Sequence, residues 1–252
     1  MPLYTAEALI LRTYKLGDAD RLVVFLTRDR GKKRGVAKGA FRSRSRFVGA
    51  LEPLTSAEVA YFEREGRDLV RLNYVEARRS PLSAADGEAL GHVGYFAELI
   101  DEWAPEADPN ERLYRLGAAA VEAMAGGAPV DRLARYFEFW LLRLQGVYPS
   151  LAACAACAAD LGLSGAVVST REPAFLCPRC ASTSGGLEVS LEALAFLRGA
   201  QSVGPDRLGG LPFTVAAARQ LAAAHRALIR AHLDKELRSV RVLRAIEPDL
   251  ER

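Results

Sequence analysis

All four cysteines of this 252-residue chain fall in two Cys-x-x-Cys pairs, Cys154/Cys157 and Cys177/Cys180, with nineteen residues between the pairs. Two thiolates spaced i, i+3 on a tight turn converge on one point. A second such turn, brought opposite the first by a short hairpin, completes a tetrahedron of soft sulfur donors. The intervening residues suit a hairpin. Gly165 to Thr170 reads as a short strand, Arg171 to Ala174 as a turn containing Pro173, and Phe175-Leu176 as the return strand into Cys177-Pro178-Arg179-Cys180.

This unit resembles a zinc ribbon. Two disulfides are the first alternative, but Met1-Pro2-Leu3-Tyr4-Thr5-Ala6-Glu7 has neither a basic start nor an apolar run of signal-peptide length. A reducing cytoplasm, which keeps thiols free, is therefore expected. A redox site is the second alternative, but redox Cys-x-x-Cys motifs come singly at the start of a helix. The expectation is structural Zn2+ on Cys154, Cys157, Cys177 and Cys180, a closed site with no position left for substrate.

Half of the residues are hydrophobic and the net charge is +3, yet that charge is unevenly spread. Between Arg28 and Arg46 there are nine Lys/Arg against Asp29 alone, so this window carries +8 and the remainder −5. Local positive charge on an acidic body is the footprint of a protein that meets a polyanion. A thinner basic stretch, Arg219 to Arg244, has seven cations against Asp234 and Glu236. No apolar run reaches the length of a membrane span.

The first eighty residues read as strands: Ala6–Tyr14, Arg21–Arg28, one beginning at Gly35, then Leu54–Phe62 and Leu69–Val75, separated by turns such as Gly17-Asp18-Ala19-Asp20. Five short strands without a long helix suit the oligonucleotide/oligosaccharide-binding (OB) barrel. After Pro81 the period changes to about 3.6. Helices are expected from Ser83 to Trp103, from Asp108-Pro109-Asn110 to Met124, and from Val130 to Val147, where Val130, Leu133, Ala134, Phe137, Trp140, Leu141, Leu144 and Val147 form one apolar stripe. Helical pattern resumes at Ser190–Arg198 and Phe213–Leu237. The chain is thus expected to be α+β and multidomain: an OB-fold barrel (1–80), a helical domain in two parts (81–150 and 186–252) and an inserted zinc ribbon (151–185).

The candidate DNA-binding residues are Arg30, Lys32, Lys33, Arg34, Lys38, Arg42, Arg44 and Arg46. Glycines and serines among them leave the backbone open to phosphates. Phe41 and Phe47 are capable of stacking on unpaired bases, though both read better as barrel core. The cations of the last helix read as a solvated face, His225 and His232 as the edge of a helix–helix contact, and Asp18 and Asp20 as turn residues rather than a nuclease metal site. No phosphate-binding loop, nucleophile elbow or His-Glu-x-x-His motif occurs, so the chain reads as a non-enzyme.

Together these residues resemble the RecO family of bacterial recombination mediators. One signature runs from Ala8-Leu9-Ile10-Leu11-Arg12 through Gly17-Asp18-Ala19-Asp20-Arg21 to Phe25-Leu26-Thr27. A second is Val36-Ala37-Lys38-Gly39-Ala40, followed by Ser45-Arg46-Phe47 and Leu51-Glu52-Pro53-Leu54, and a third is Asp68-Leu69 with Glu76. Gly146-Val147-Tyr148-Pro149, the four-cysteine ribbon and a closing helix with Leu233 and Leu237-Arg238-Ser239 complete the match. The resemblance implies a cytoplasmic, nucleoid-associated protein of DNA repair and recombination. Such a protein binds single- and double-stranded DNA and anneals complementary strands. It contacts the acidic, hydrophobic tail of single-strand-binding protein and, with RecR and a functional link to RecF, loads RecA. By matching positions, Lys38, Arg42, Arg44 and Arg46 fall in the family's basic barrel segment, and the four cysteines on its zinc ligands. Lys32 and Lys33 depart from the family, where apolar residues are commoner, so a bulge or irregular loop is expected there. Two other classes remain open: an RNA-binding barrel-plus-ribbon protein and a metal-dependent nuclease.

Overall fold

The computed structural model describes residues 1–42, 44–83, 87–169, 173–182 and 185–246. Ser43, the expected helix start just after Ser83, and the first half of the expected Arg171–Ala174 turn lie outside the described residues. By contact density the chain divides into two compact units, Met1–Gly127 and Ala128–Arg252.

In the first unit, β1 (Leu3–Leu16), β2 (Asp20–Thr27), β3 (Gly31–Ala37), β4 (Ser56–Phe62) and β5 (Leu69–Arg79) close a barrel in the order β1-β2-β3-β5-β4. All pairings are antiparallel except the closing β3–β5 ladder. This is the five-stranded OB arrangement that the strand count implied. Alternate residues point inward, so Ala8, Ile10, Val23, Phe25, Val59 and Tyr61 fill the interior. The long β3–β4 loop contributes Phe47, Ala50 and Leu51 to the same core, which stoppers one end of the barrel.

The outward rows of β1 and β2 are apolar as well: Leu9, Leu11, Val24 and Leu26 are buried because α1 (Gly87–Trp103) and α2 (Glu111–Ala125) pack on β1. Asn110 caps α2, its side chain accepting from Leu113 N at 3.1 Å, and Gly126 and Gly127 end it. Gly117 lets α2 approach closely, since a Cβ there would stand 2.6 Å from Leu9 Cδ1 and 2.8 Å from Ile100 Cδ1.

The expected irregularity at Lys32-Lys33 does not occur. β3 starts at Gly31 rather than Gly35, and its pairing with β2 runs unbroken from Arg21↔Ala37 to Thr27↔Gly31. Both lysines are accommodated by ion pairs instead of by a bulge.

The second unit begins with α3 (Val130–Leu144). The ribbon follows as β6 (Ala166–Val168), β7 (Phe175–Leu176), the one-turn α4 (Pro178–Ala181) and β8 (Leu187–Val189), a three-stranded sheet in the order β7-β6-β8. α5 (Leu191–Ala200), α6 (Val215–Leu233) and α7 (Arg238–Ile246) complete it. The single helix expected over Phe213–Leu237 is broken at Asp234, which sits at φ +52°. Aspartate tolerates that left-handed position, and its N–H still caps Arg230 O at 2.9 Å. Among the described residues no helix is long and apolar enough to cross a membrane.

α3 is buried beyond its apolar stripe, and the extra face carries charge. Glu138 accepts from Arg135 at 3.1 Å and meets His225 Nδ1 at 2.9 Å. His225 Nε2 meets Tyr148 Oη at 2.9 Å, and Tyr148 packs on Phe175 of the ribbon. His225 is wholly buried inside this network rather than lining a helix edge. Burial lowers its pKa, against the opposing pull of Glu138.

That direction fixes a pH dependence. The unfolded chain takes up a proton near the ordinary histidine value of about 6.5, while the folded protein resists doing so. Stability of the second unit is therefore full above that value and declines as pH falls through it. Urea unfolding between about pH 7.5 and pH 5.5 should show this decline, and His225→Gln should flatten it. An equally steep decline in the variant would contradict the assignment.

Candidate metal centre and nucleic-acid interface

The metal ligands are brought together by two knuckles of different construction. In the first, Cys154 N donates to Ala159 O at 2.8 Å and Ala158 N to Cys154 O at 2.9 Å, which turns the chain tightly enough to leave Ala158 at φ +59°. In the second, Pro178 opens α4 at a position where its missing N–H costs nothing, and Ala181 N closes on Cys177 O at 3.0 Å. Ala155 N donates to Phe175 O at 3.0 Å and ties one knuckle to the other.

All four Sγ atoms lie within 4.8 Å of one another, and Cys157 Sγ stands 3.8 Å from Cys177 Sγ. Sulfurs held at about 2.3 Å from a tetrahedral metal are about 3.8 Å apart, so the donor set fits such an ion. The acidity of the thiols agrees. Burial raises Cys154, but N–H groups of Cys177, Ala156 and Cys157 outweigh it and bring the thiol down to about 6. Cys180, hydrogen-bonded by Cys157 and Cys177, is pushed up to about 12. Four thiols this close share their protons, and a divalent cation at the centre would hold all four as thiolates.

The basic window divides into two halves. In the first, the cations are consumed inside the unit. Arg28 bridges Glu7 at 3.0 Å and Glu111 at 2.9 Å, Lys33 meets Glu63 at 2.6 Å, and Arg34 meets Glu106 at 2.8 Å. Lys32 shares the outer row of Leu26 and is 8% exposed. Its Nζ donates to Asp101 O at 2.7 Å and lies 3.2 Å from Asp101 Oδ1 and 3.5 Å from Glu106. Arg30 stands 4.2 Å from the centre of the Tyr4 ring and 3.8 Å from Asp29. Gly31 is required at this junction, at φ +69°, because a Cβ there would collide with the Asp108 backbone 2.3 Å away. Of the residues expected on the DNA surface, Lys32 and Arg34 fasten the barrel to the segment around α1 and α2, while Lys33 is held by Glu63 and Arg30 by Tyr4 and Asp29 within the barrel's own strands and turns.

In the second half, Lys38, Arg42, Arg44 and Arg46 are all exposed, and among the described residues none has a carboxylate partner. The loop that carries them is anchored by buried Phe47, by Gly39 N donating to Asp20 Oδ1 at 2.7 Å and by Phe41 N donating to Ala19 O at 3.0 Å. Asp20 is thus a turn residue, as expected. Of the two phenylalanines, Phe47 is core at 2% exposure, but Phe41 is 45% exposed and covered by Arg21, whose Cζ is 4.5 Å from the ring centre.

Two cations outside the window join this surface. Lys15 and Arg21 face each other directly in the β1–β2 register, at the barrel end that the basic loop covers. Like charges in register repel, and neither has a carboxylate partner among the described residues. A reading of local charge density missed both because they lie six residues apart in a hairpin. The Gly17–Asp20 turn between them was the available signal. On the second basic stretch, Arg241 and Arg244 meet Glu236 at 3.8 and 2.9 Å, in keeping with a solvated face.

Comparison with known proteins agrees along the chain. Residues 1–81 match the family described as Recombination protein O N terminal, and residues 84–241 match Recombination protein O C terminal. The "DNA repair protein RecO" of Geobacter metallireducens is 34% identical over 249 residues, 96% of this chain and 98% of that protein. That of Anaeromyxobacter sp. strain K is 35% identical over 243 residues, 95% of each. The Koribacter versatilis protein of the same name is 44% identical over 160 residues, which span 62% of this chain and 64% of that protein.

The division of the basic window has a direct test in stability. Lys32→Ala removes a nearly buried ammonium that bonds both the carbonyl and the carboxylate of Asp101, leaving that carboxylate to Arg12, and should cost about 2 kcal/mol in urea unfolding. Arg46→Ala, on the exposed half, should stay within about 0.5 kcal/mol. Equal effects at the two positions would contradict the division.

Proposed function

The chain belongs to the RecO family of DNA repair proteins, and from that premise we propose that it is a non-catalytic mediator that binds single- and double-stranded DNA and anneals complementary strands. With RecR, and in functional link with RecF, it helps load RecA onto DNA coated by single-strand-binding protein. The observation that carries this reading is the exposed, unpaired half of the basic segment. Lys38, Arg42, Arg44 and Arg46, joined by Lys15 and Arg21, form a concentrated positive surface at one end of an OB barrel. Annealing needs two polyanions held close together, and screening their repulsion takes concentrated positive charge. The neutralised half, Arg28 to Arg34, has little charge left to offer.

If about six cations meet phosphates, the logarithm of single-strand affinity should fall with the logarithm of salt at a slope of roughly −4. Replacing Lys38, Arg42, Arg44 and Arg46 with alanine leaves about two contacts and should flatten the slope to roughly −1.5. The same variant should fail to anneal strands in the presence of single-strand-binding protein. An unchanged slope would place the DNA elsewhere. Structured RNA out-competing single-stranded DNA would favour an RNA-binding protein, and cleavage of labelled DNA with magnesium would favour a nuclease.

Zinc is the metal this reading assigns to Cys154, Cys157, Cys177 and Cys180, because an all-thiolate tetrahedral set is its preferred structural site. Bound there, it would hold the two knuckles together and supply no open coordination position for chemistry. The purified protein should carry about one zinc per chain, a site of this kind contributing on the order of 10 kcal/mol to local folding. Cys177→Ser should remove the metal and collapse the amide dispersion of the ribbon while the barrel's signals persist. Less than about half an equivalent of zinc, under reducing conditions without chelator, would rule the site out.

A further inference from the structure

Resting on that reading of the basic surface, we propose that Phe41, backed by Arg21, is a seat for one unpaired base and gives this surface its grip on single strands. Phe41 stands out in its own loop, 45% exposed where Phe47 is 2% exposed. It is not a loose side chain. Its N–H is bonded to Ala19 O at 3.0 Å, and the neighbouring Gly39 N to Asp20 Oδ1 at 2.7 Å. The backbone that carries the ring is therefore stapled to the β1–β2 turn. The Arg21 guanidinium covers it at 4.5 Å, while Arg21 Nε is buried without a hydrogen-bond partner. Among the described residues no carboxylate pairs with this arginine, and its charge faces the ring.

The surroundings point to the chemistry of the occupant. Lys15 opposes Arg21 in register, and Lys38 and Arg42 flank Phe41 in the chain, all without carboxylate partners among the described residues. An aromatic ring surrounded by uncompensated cations matches a group that carries a flat apolar face and a phosphate together. An unpaired nucleotide is such a group. Base–aromatic stacking is sequence-tolerant, since every base has a π face. In a duplex those faces are already stacked on their neighbours, so the ring has nothing to receive. The cations therefore hold either form of DNA, and the ring adds affinity only for strands whose bases are free.

The test compares Phe41→Ala, Phe41→Leu and Phe41→Trp with the native protein on three ligands: oligo-thymidine, a duplex of equal length and an oligonucleotide of abasic sites. Phe41→Ala and Phe41→Leu should weaken oligo-thymidine binding about 5- to 100-fold, duplex binding by less than about twofold, and Phe41→Trp should retain affinity. The salt slope should not move, because stacking releases no counterions. The native protein should bind the abasic strand as weakly as Phe41→Ala binds it. Leucine keeps the apolar packing on Arg21 but not the π face, so a native-like Phe41→Leu would overturn the seat. Equal losses on duplex and single strand would overturn it too, by showing that the ring only positions the loop. If Phe41→Ala is native-like while the four-cation variant of Lys38, Arg42, Arg44 and Arg46 loses single strands, the seat is wrong and the DNA surface stands. If the four-cation variant itself keeps full affinity, the surface reading fails and the seat fails with it.

Discussion

The acidic end of α1 and the positive edge of the barrel hold each other in place, and the rest of the first unit is arranged around that pairing. Glu98, Asp101 and Glu102 crowd the last turns of a helix, where the backbone dipole disfavours negative charge. Arg12, 2.7 Å from Asp101 and 3.3 Å from Glu98, and Lys32, donating to the Asp101 carbonyl, offset that cost. Lys32 gains equally, because an ammonium group in a nearly buried outer row is tolerable only when paired. The pairing anchors α1 over β1 and β3. It also removes Lys32 from the pool of charge available to a ligand, as Glu63 does Lys33.

What remains available is therefore sharply placed. The β3–β4 loop inserts Phe47, Ala50 and Leu51 into the barrel mouth and leaves Arg46, Arg44, Arg42 and Lys38 outside. Across the mouth, the β1–β2 hairpin adds Lys15 and Arg21. A surface built from one anchored loop and one hairpin end keeps its cations close together, as the proposed annealing requires. The ribbon belongs to the other unit, where Tyr148 links it through Phe175 on one side and His225 on the other to the buried Glu138. Its contribution is to complete that core around a closed sulfur site.

Much of this was legible in the residues. The strand segments of β1 and β2, the helix start at Asp108-Pro109-Asn110, its end near Met124 and the cysteine spacing each rest on local chemistry, and each stands close to where it was expected. β8 was not legible, because Leu187-Glu188-Val189 is too short to show a period and exists only by pairing with β6. The break at Asp234 was hidden inside a continuous helical pattern. The roles of Lys32 and Lys33 needed the partners Asp101 and Glu63, which are distant in sequence. Phe41 and Phe47 look alike in the chain and differ only in which side of the loop faces the barrel. The pairing of Lys15 with Arg21 is a matter of strand register, and charge counting along the chain cannot see register.

The central claim is that the basic segment has two jobs, fastening before Ala37 and binding after it. Amide hydrogen exchange with and without saturating oligo-thymidine separates them within one sample. Added protection should appear in residues 38–48 and in the 14–21 hairpin end, with residues 28–34 unchanged and already slow to exchange. Protection that falls on residues 28–34, with the 38–48 loop unaffected, would contradict the account.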